Sequence, residues 1–246
     1  MKQEDHELLA KTGRGTPLGD MLRRFWAPVV LSEELPKAGG RQVRVRVMGE
    51  DLVAFRMPSG EVGLVAEYCP HRGASLYFGR VEEGGIRCSY HGWKYDRDGT
   101  CLDTPNEPAG SKLKTHVCHR GYACVEQNGV IWAYMGPPDS KPSLPELEFL
   151  MVASANVVVT KRVQFAYWMQ CQEADVDSSH VPFLHEFELL ERLKAREADY
   201  QSAKWVMGQR APNISVKETR YGLVLGSRRN TDDGRHYWRI THFADW

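Results

Sequence analysis

Two short segments constrain this chain more than any others. The first is Cys69-Pro70-His71-Arg72-Gly73, and the second is Cys88-Ser89-Tyr90-His91-Gly92-Trp93. As a pattern they read C-x-H, sixteen residues, then C-x-x-H. Each supplies one thiolate and one imidazole, and the four donors suit a tetrahedral zinc or an iron–sulfur centre. Four unrelated residues is the plainest reading. One Cys near one His arises readily by chance, but two such pairs with glycines alongside do not. A structural zinc is the second reading, yet its usual C-x2-4-C and H-x3-5-H grouping is absent. The third is a [2Fe–2S] centre with two Cys on one iron and two His on the other, whose asymmetry asks for this mixed pairing. Pro70, Gly73 and Gly92 fit tight ligand loops, where φ is fixed by proline or left free by glycine.

Composition narrows the setting. Lys+Arg and Asp+Glu number 32 each, so there is no basic excess of the kind nucleic-acid binding wants. No apolar run approaches the length of a membrane helix, and the polar N-terminus lacks a secretory signal. A cytoplasmic protein is expected, with no membrane and no nucleic-acid partner. A reducing compartment disfavours disulfides, so Cys101, Cys118, Cys124 and Cys171 are read as small buried apolar residues.

Along the chain, Leu18, Met21, Leu22 and Phe25 fall at helical spacing. A short packing helix over residues 18–26 follows, ended by Pro28. Residues 42–48 alternate Val43, Val45 and Val47 with Arg44 and Arg46. Gly49-Glu50 turns the chain into residues 51–57, and Ser59-Gly60 turns it again into residues 62–67. This predicts a β-meander with one dry and one wet face. Glu82-Glu83-Gly84-Gly85 sits at the tip of a small hairpin between the two metal loops. Asn128-Gly129, flanked by residues 123–127 and 130–135, is the strongest hairpin signal. Four prolines crowd residues 137–147, which cannot form a regular element. The expected organisation is an N-terminal helical or extended segment (1–40), an all-β cluster domain (41–136), a proline-rich linker (137–147) and a further domain (148–246).

A second constellation follows the linker. Residues 155–165 are rich in β-formers. Residues 168–180 contain no Gly or Pro, and a helix there would place Glu173, Asp177 and His180 on one stripe. A solvated face explains any one of these alone. His185 adds weight, because Pro182 lies between the two histidines and breaks or kinks a helix. A kink would swing His185 round to His180. Two imidazoles with open positions beside a carboxylate suit a mononuclear iron. Asp177 is placed to accept a hydrogen bond from the His180 ring and so orient it. Glu173 either supports the site in the same way or makes a salt bridge. His116 and His119 lie in the basic run 112–120, read as an exposed surface with a part in docking a redox partner.

At these residues the chain resembles a known family. CPHRGASL and CSYHGWKYD are similar to the two cluster loops of Rieske proteins. The order of Rieske loops, proline stretch and E-x-x-x-D-x-x-H-x-x-x-x-H resembles the large (α) subunit of Rieske non-heme iron ring-hydroxylating oxygenases. DSSHVPFLH and GRGTPLGDMLRRFWAPV look like the phthalate-dioxygenase-type branch. The resemblance implies an α+β architecture: an all-β Rieske-type domain, then an incomplete antiparallel-sheet-plus-helix, helix-grip-like catalytic domain. It implies a [2Fe–2S] cluster on Cys69, His71, Cys88 and His91, and a mononuclear Fe(II) with His180 and His185 among its ligands. It implies that Asp177 bridges the two centres by bonding the His91 position of a neighbouring subunit, in a homo-oligomer that is often a trimer. Electrons would come from an NADH-dependent reductase, directly or through a ferredoxin, to activate O2 against a small organic substrate. The alternative is a Rieske electron-transfer module without oxygenase activity.

The chain departs from the family pattern in one respect. The third iron ligand of the family is a carboxylate far downstream of the second His, past Trp246. The late aspartates Asp232 and Asp233 look like turn residues and Asp245 like a chain end, so none is assigned as a ligand. A charged helix near residues 186–200 and three strands near 214–220, 222–228 and 236–243 would leave an apolar face and a sheet edge open. A C-terminally truncated chain is therefore expected. The substrate, and the choice among dioxygenation, monooxygenation and demethylation, are not written in it.

Overall fold

Thr16 starts the first packed element. Its Oγ1 accepts from the Gly19 backbone N–H at 3.1 Å, and Pro17 occupies the first helical turn. This helix is α2 (Pro17–Leu22), preceded by α1 (Gln3–Ala10). It ends before Phe25 and Trp26, earlier than the helical spacing suggested. Trp26 instead opens strand β1 (Trp26–Leu31), and Pro28 lies within that strand. A proline is tolerated there because β1 is an edge strand, and its pairing register shifts between Pro28 and Val30.

The computed structural model describes residues 2–195, 200–220 and 222–244. They fall into two compact units, residues 1–163 and 164–246. In the first unit β1 is followed by β2 (Val43–Val47), β3 (Glu50–Arg56), β4 (Val62–Ala66), β5 (Arg80–Glu82) and β6 (Gly85–Arg87). Then come β7 (Lys94–Tyr95), β8 (Cys101–Asp103), β9 (Gly121–Gln127) and β10 (Val130–Tyr134). One six-stranded sheet has the order β1-β10-β9-β4-β3-β2, and a four-stranded sheet runs β5-β6-β7-β8.

The meander is present, with two differences. Val47 pairs with Glu50, so the turn is Met48-Gly49, both at positive φ (46° and 79°), which matches the twist of a tight hairpin. Only β2 has a wet face. Leu52, Val53, Ala54 and Phe55 of β3 are all fully buried, because both faces of that strand are covered. Val53 and Phe55 join the core under the metal loops, with Leu76, Ile86, Trp93 and Tyr95. Leu52 and Ala54 join the opposite core, with Leu35, Leu64 and Ile131. Each such side chain contributes about 2 kcal/mol of burial. Phe55 lies over Gly63, where a Cβ would come within 2.4 Å of its ring.

The proline-rich stretch holds one 3-10 turn, Pro138–Ser140. It is tied to the first unit: Trp26 Nε1 donates to the Pro142 carbonyl at 3.0 Å, and Leu144, Leu147 and Leu150 pack on Trp26, Trp132 and Tyr134. The compact unit thus runs on to residue 163, beyond the expected linker. Residues 155–165 form no strand; a 3-10 turn, Ser154–Asn156, leads into extended chain with Val158 and Phe165 exposed.

The second unit contains α3 (Trp168–Val176), α4 (Val181–Leu184), α5 (Glu186–Ala195), α6 (Tyr200–Gly208), β11 (Asn213–Thr219), β12 (Gly222–Asn230) and β13 (His236–Ala244). The three strands form one antiparallel sheet in sequence order. Its helices pack through Leu189, Ala203 and Val206. Ile214, Val216, Trp238 and Ile240 stay exposed on the strands. Asp245 and the residues between α5 and α6 lie outside the described residues. No described helix is long and apolar enough to cross a membrane.

A single carboxylate ties the N-terminal segment to the sheet. Glu50 pairs with Arg23 at 2.8 Å and Arg120 at 2.9 Å, and accepts from the Tyr122 hydroxyl at 2.5 Å. Burial raises its pKa, and these three partners more than reverse the effect, leaving it below the usual carboxylate range. Arg23 is only 3% exposed, so Glu50→Ala strands a buried charge. Such a loss costs about 3 kcal/mol, and the chemical denaturation midpoint is expected to fall accordingly. Asp51→Ala removes an exposed pair with Arg46 and is expected to cost under about 0.5 kcal/mol.

Candidate metal centres

The two Cys/His segments are built on the same backbone frame. In the first, Cys69 N–H donates to Ala74 C=O at 2.9 Å and Gly73 N–H donates back to Cys69 C=O at 2.9 Å. In the second, Cys88 N–H donates to Trp93 C=O at 2.8 Å and Gly92 N–H to Cys88 C=O at 3.1 Å. Gly73 and Gly92 occupy the equivalent corner at φ 69° and 77°, a conformation a side chain would strain. The loops differ only in where the imidazole falls, two residues after Cys69 and three after Cys88. Arg87 steadies the second loop by donating to Gly92 C=O at 2.6 Å and to Asp103 at 2.8 Å.

The frame brings the four donors together. The His71 and His91 rings meet edge-on with centroids 4.7 Å apart. Cys69 and Cys88 are each 2% exposed and interact with each other. Burial pushes the Cys69 thiol up, while the Tyr95 hydroxyl, 3.1 Å from its Sγ, works against that. His91 Nδ1 is buried and has no hydrogen-bond partner. A buried nitrogen left without a partner costs on the order of 1–3 kcal/mol, so a bound cation is what would settle it. Buried thiols that gain iron are deprotonated outright. The residues present therefore fit a Rieske cluster.

Among the described residues no group of three or more His, Cys, Asp or Glu converges as a single-ion site. A Rieske centre needs no such group, because its four protein ligands are split two and two over two irons. Trp93 stacks on His71 (centroids 4.4 Å, planes 2° apart) and donates to Asn106 at 2.6 Å. Tyr90 covers His91 at 3.9 Å but is itself exposed.

In the second unit the expected stripe does not form. Helix α3 stops at Val176, and Asp177 is extended (φ −74°, ψ 123°) rather than helical. Its carboxylate organises the turn instead, accepting from Ser179 N–H at 2.7 Å and His180 N–H at 3.0 Å. It also sits 3.1 Å from His180 Nδ1. Burial raises the Asp177 pKa, and these contacts more than reverse that, for a net depression. Pro182 begins α4 in its first turn, so the chain is broken before the proline and not kinked at it. The His180 and His185 rings still come to 5.6 Å between centroids. His185 Nδ1 lies 3.2 Å from Glu188. Glu173 is exposed.

Other assignments change. Cys101 is buried as expected, but Cys118 is exposed. His119 is not surface: it is 8% exposed, with Nε2 3.0 Å from Ala66 C=O. Two residues of consequence were not singled out. Tyr95 is fully buried against Cys69; its place two residues after Trp93 on a strand was the available signal. Arg229 is also fully buried, and it clamps the Asp177–His180 turn. Its Nη1 donates to Ser178 Oγ at 3.1 Å, its Nη2 to Ser178 C=O at 2.8 Å, and its Nε to Gln209 C=O at 2.9 Å. Nothing local marks it, since Arg228-Arg229 reads as an ordinary charged strand.

Comparison with known proteins agrees with this geometry. Residues 25–124 match the Rieske [2Fe-2S] domain, and residues 133–245 match the LigXa C-terminal domain like family. The chain carries a Rieske [2Fe-2S] domain followed by a LigXa-like C-terminal domain. It is 41% identical over 98% of its length to the 3-chlorobenzoate-3,4-dioxygenase oxygenase subunit of Comamonas testosteroni, covering 54% of that protein. It is 39% identical over 92% of its length to the phthalate 4,5-dioxygenase oxygenase subunit of Pseudomonas putida, covering 52% of it. This Rieske chain spans about half the length of the curated relatives it matches. A solved structure of a Pseudomonas putida CBB5 NdmA mutant with caffeine shares the fold at TM-score 0.61 and 22% identity, covering 91% of this chain and 66% of that one.

Two predictions test these surroundings. Burial pushes His119 down to about 4. Its unfolded form protonates near pH 6.5, so the unfolded chain binds the proton first as pH falls. Stability is expected to drop by roughly 1.4 kcal/mol per pH unit between about pH 6.5 and 4, and His119→Gln is expected to flatten that slope in urea titrations. Arg229→Lys keeps the charge but cannot span three acceptors. A loss of about 2 kcal/mol is expected, read as a lower thermal midpoint for the second unit.

Proposed function

We propose that this chain belongs to the terminal oxygenase component of a Rieske-type system. In such a system, electrons from an NADH-dependent reductase, directly or through a ferredoxin, reach a [2Fe–2S] cluster and then a mononuclear Fe(II) that activates O2 to hydroxylate or oxidatively demethylate an aromatic or related organic substrate. Cys69 and Cys88 hold one cluster iron, and His71 and His91 hold the other. His180 and His185 supply two imidazoles to the mononuclear iron. Asp177 fixes the His180 ring through the 3.1 Å contact at Nδ1, which leaves Nε2 as the metal-facing nitrogen. Trp93 covers His71, and the fully buried Tyr95 keeps water from Cys69.

The observation that carries this reading is the convergence of two matched loops on a buried, unpartnered His91 nitrogen. Relatives named for 3-chlorobenzoate, phthalate and 5,5'-dehydrodivanillate support an aromatic substrate. We infer a cytoplasmic homo-oligomer, with trimers the leading arrangement, on the family resemblance alone.

Anaerobic reconstitution tests the assignment. Two irons and two sulfides per chain are expected for the cluster, with further iron that His180→Ala or His185→Ala removes. A colourless, zinc-bearing product without labile sulfide would overturn the cluster. Cluster iron alone, unaltered by the two histidine changes, would favour an electron-transfer module. Tyr95→Phe removes a hydrogen bond to sulfur that favours the more negative, reduced state. The reduction potential is expected to fall by on the order of tens of mV in spectroelectrochemical titration.

A further inference from the structure

The first metal loop is closed by more than its own tip. Cys69 N–H donates to Ala74 C=O, Tyr68 bridges Ser75, and Leu76 N–H donates to Glu67 C=O at 2.8 Å. Cys69 and His71 thus stand at the end of a short two-stranded stem, and Glu67 is its outer rung. The Glu67 side chain crosses that stem. Its Oε1 accepts from Ser75 Oγ at 2.5 Å and from Arg44 Nε at 2.7 Å, while Arg44 Nη2 reaches Ser75 Oγ at 3.3 Å.

Arg44 is held in its turn. Its guanidinium lies 4.2 Å from the centre of the Tyr77 ring and 5.2 Å from that of Phe78, both just beyond the stem. Gln42, two residues earlier, donates to the carbonyls of Tyr77 and of Gly79, the latter at 2.9 Å. The side chains that alternation puts on the wet face of β2 therefore grip the downstream arm of the loop.

The second loop has the opposite arrangement. Arg87, immediately before Cys88, is the partly buried charge there, and Glu82 and Asp103 pair with it at 2.9 and 2.8 Å. At the first loop the buried charge is the anion: Glu67 is only 5% exposed. Burying a carboxylate is costly even when it is paired, and a glutamine would offer Ser75 the same acceptor. That favours a role for the charge itself. A charge shut off from water acts on its neighbours far more strongly than one on the surface.

We propose that Glu67 is a positioning residue of the cluster domain: paired with Arg44, it locks the stem of the first metal loop and sets the reduction potential of the cluster held there. The inference rests on the cluster assignment above.

The test uses the chain reconstituted anaerobically with iron and sulfide, its potential read by spectroelectrochemical titration. Glu67→Gln removes the negative charge but keeps an acceptor for Ser75. It is expected to raise the potential, so that the reduced-to-oxidised ratio at a fixed potential grows about fivefold. Arg44→Gln leaves the carboxylate unopposed and is expected to move that ratio about as far the other way. The double variant, with neither charge, is expected to lie within about twofold of the wild type. Arg46→Gln and Asp51→Asn, which neutralise an exposed pair, are the controls and are expected to change the ratio by less than about twofold. Glu67→Ala also takes the acceptor from Ser75, and is expected to release iron to a chelator at least about threefold faster than Glu67→Gln. Shifts of the same sign from Glu67→Gln and Arg44→Gln would mean a loosened stem without electrostatic control, and they overturn the proposal. So do shifts no larger than those of the controls, or iron loss from Glu67→Ala no faster than from Glu67→Gln. Iron and sulfide are counted in every sample: a full cluster with an unshifted potential sinks only the role of Glu67, and a wild type that takes up neither sinks the cluster assignment with it.

Discussion

Two thiols and two imidazoles placed against one apolar core are electrostatically costly unless something positive sits among them. Cys69 and Cys88 are almost wholly buried beside Val53, Phe55 and Leu76, and burial raises the cost of charging Cys69. His91 leaves a nitrogen without a partner at the same place. The surrounding fold is arranged to hold these groups there anyway. Strand β3 is covered on both faces, the loop corners are left-handed glycines, and Arg87 grips the second loop from behind. A fold that keeps such an arrangement is organised for a cationic guest, and the split of donors selects an iron pair over a single ion.

The second unit solves its positioning problem differently. Its histidines are not set by the pitch of one helix. A carboxylate at the end of α3 turns the chain, and a buried arginine from β12 clamps that turn. The geometry at His180 therefore depends on a strand far along the sequence. Local helix content matters less than the contact between Asp177, Ser178 and Arg229.

Much of this is legible in the sequence. The meander, the Asn128-Gly129 hairpin, the paired loops and the last three strands follow from alternation, turn chemistry and ligand spacing. The failures have physical causes. Phe25 and Trp26 kept helical spacing by coincidence, and edge pairing with β10 won. Residues 155–165 have β propensity but no neighbouring strand to pair with among the described residues. The stripe of Glu173, Asp177 and His180 assumed that absence of Gly and Pro means continuity, whereas Asp177 competes for backbone N–H groups and ends the helix. Arg229 and His119 look ordinary in sequence because burial of a polar residue is decided by distant segments.

The two sheets differ in how their borders are finished. The six-stranded sheet is bounded by β1, which carries a proline and a register shift, and by β2, which carries Arg44 and Arg46. Both devices discourage another chain from adding on. The three-stranded sheet has no proline or register shift on β11, where Ile214 and Val216 lie open beside Lys217 and Glu218. The edge at 213–219 is thus where this sheet leaves backbone groups open to a further strand.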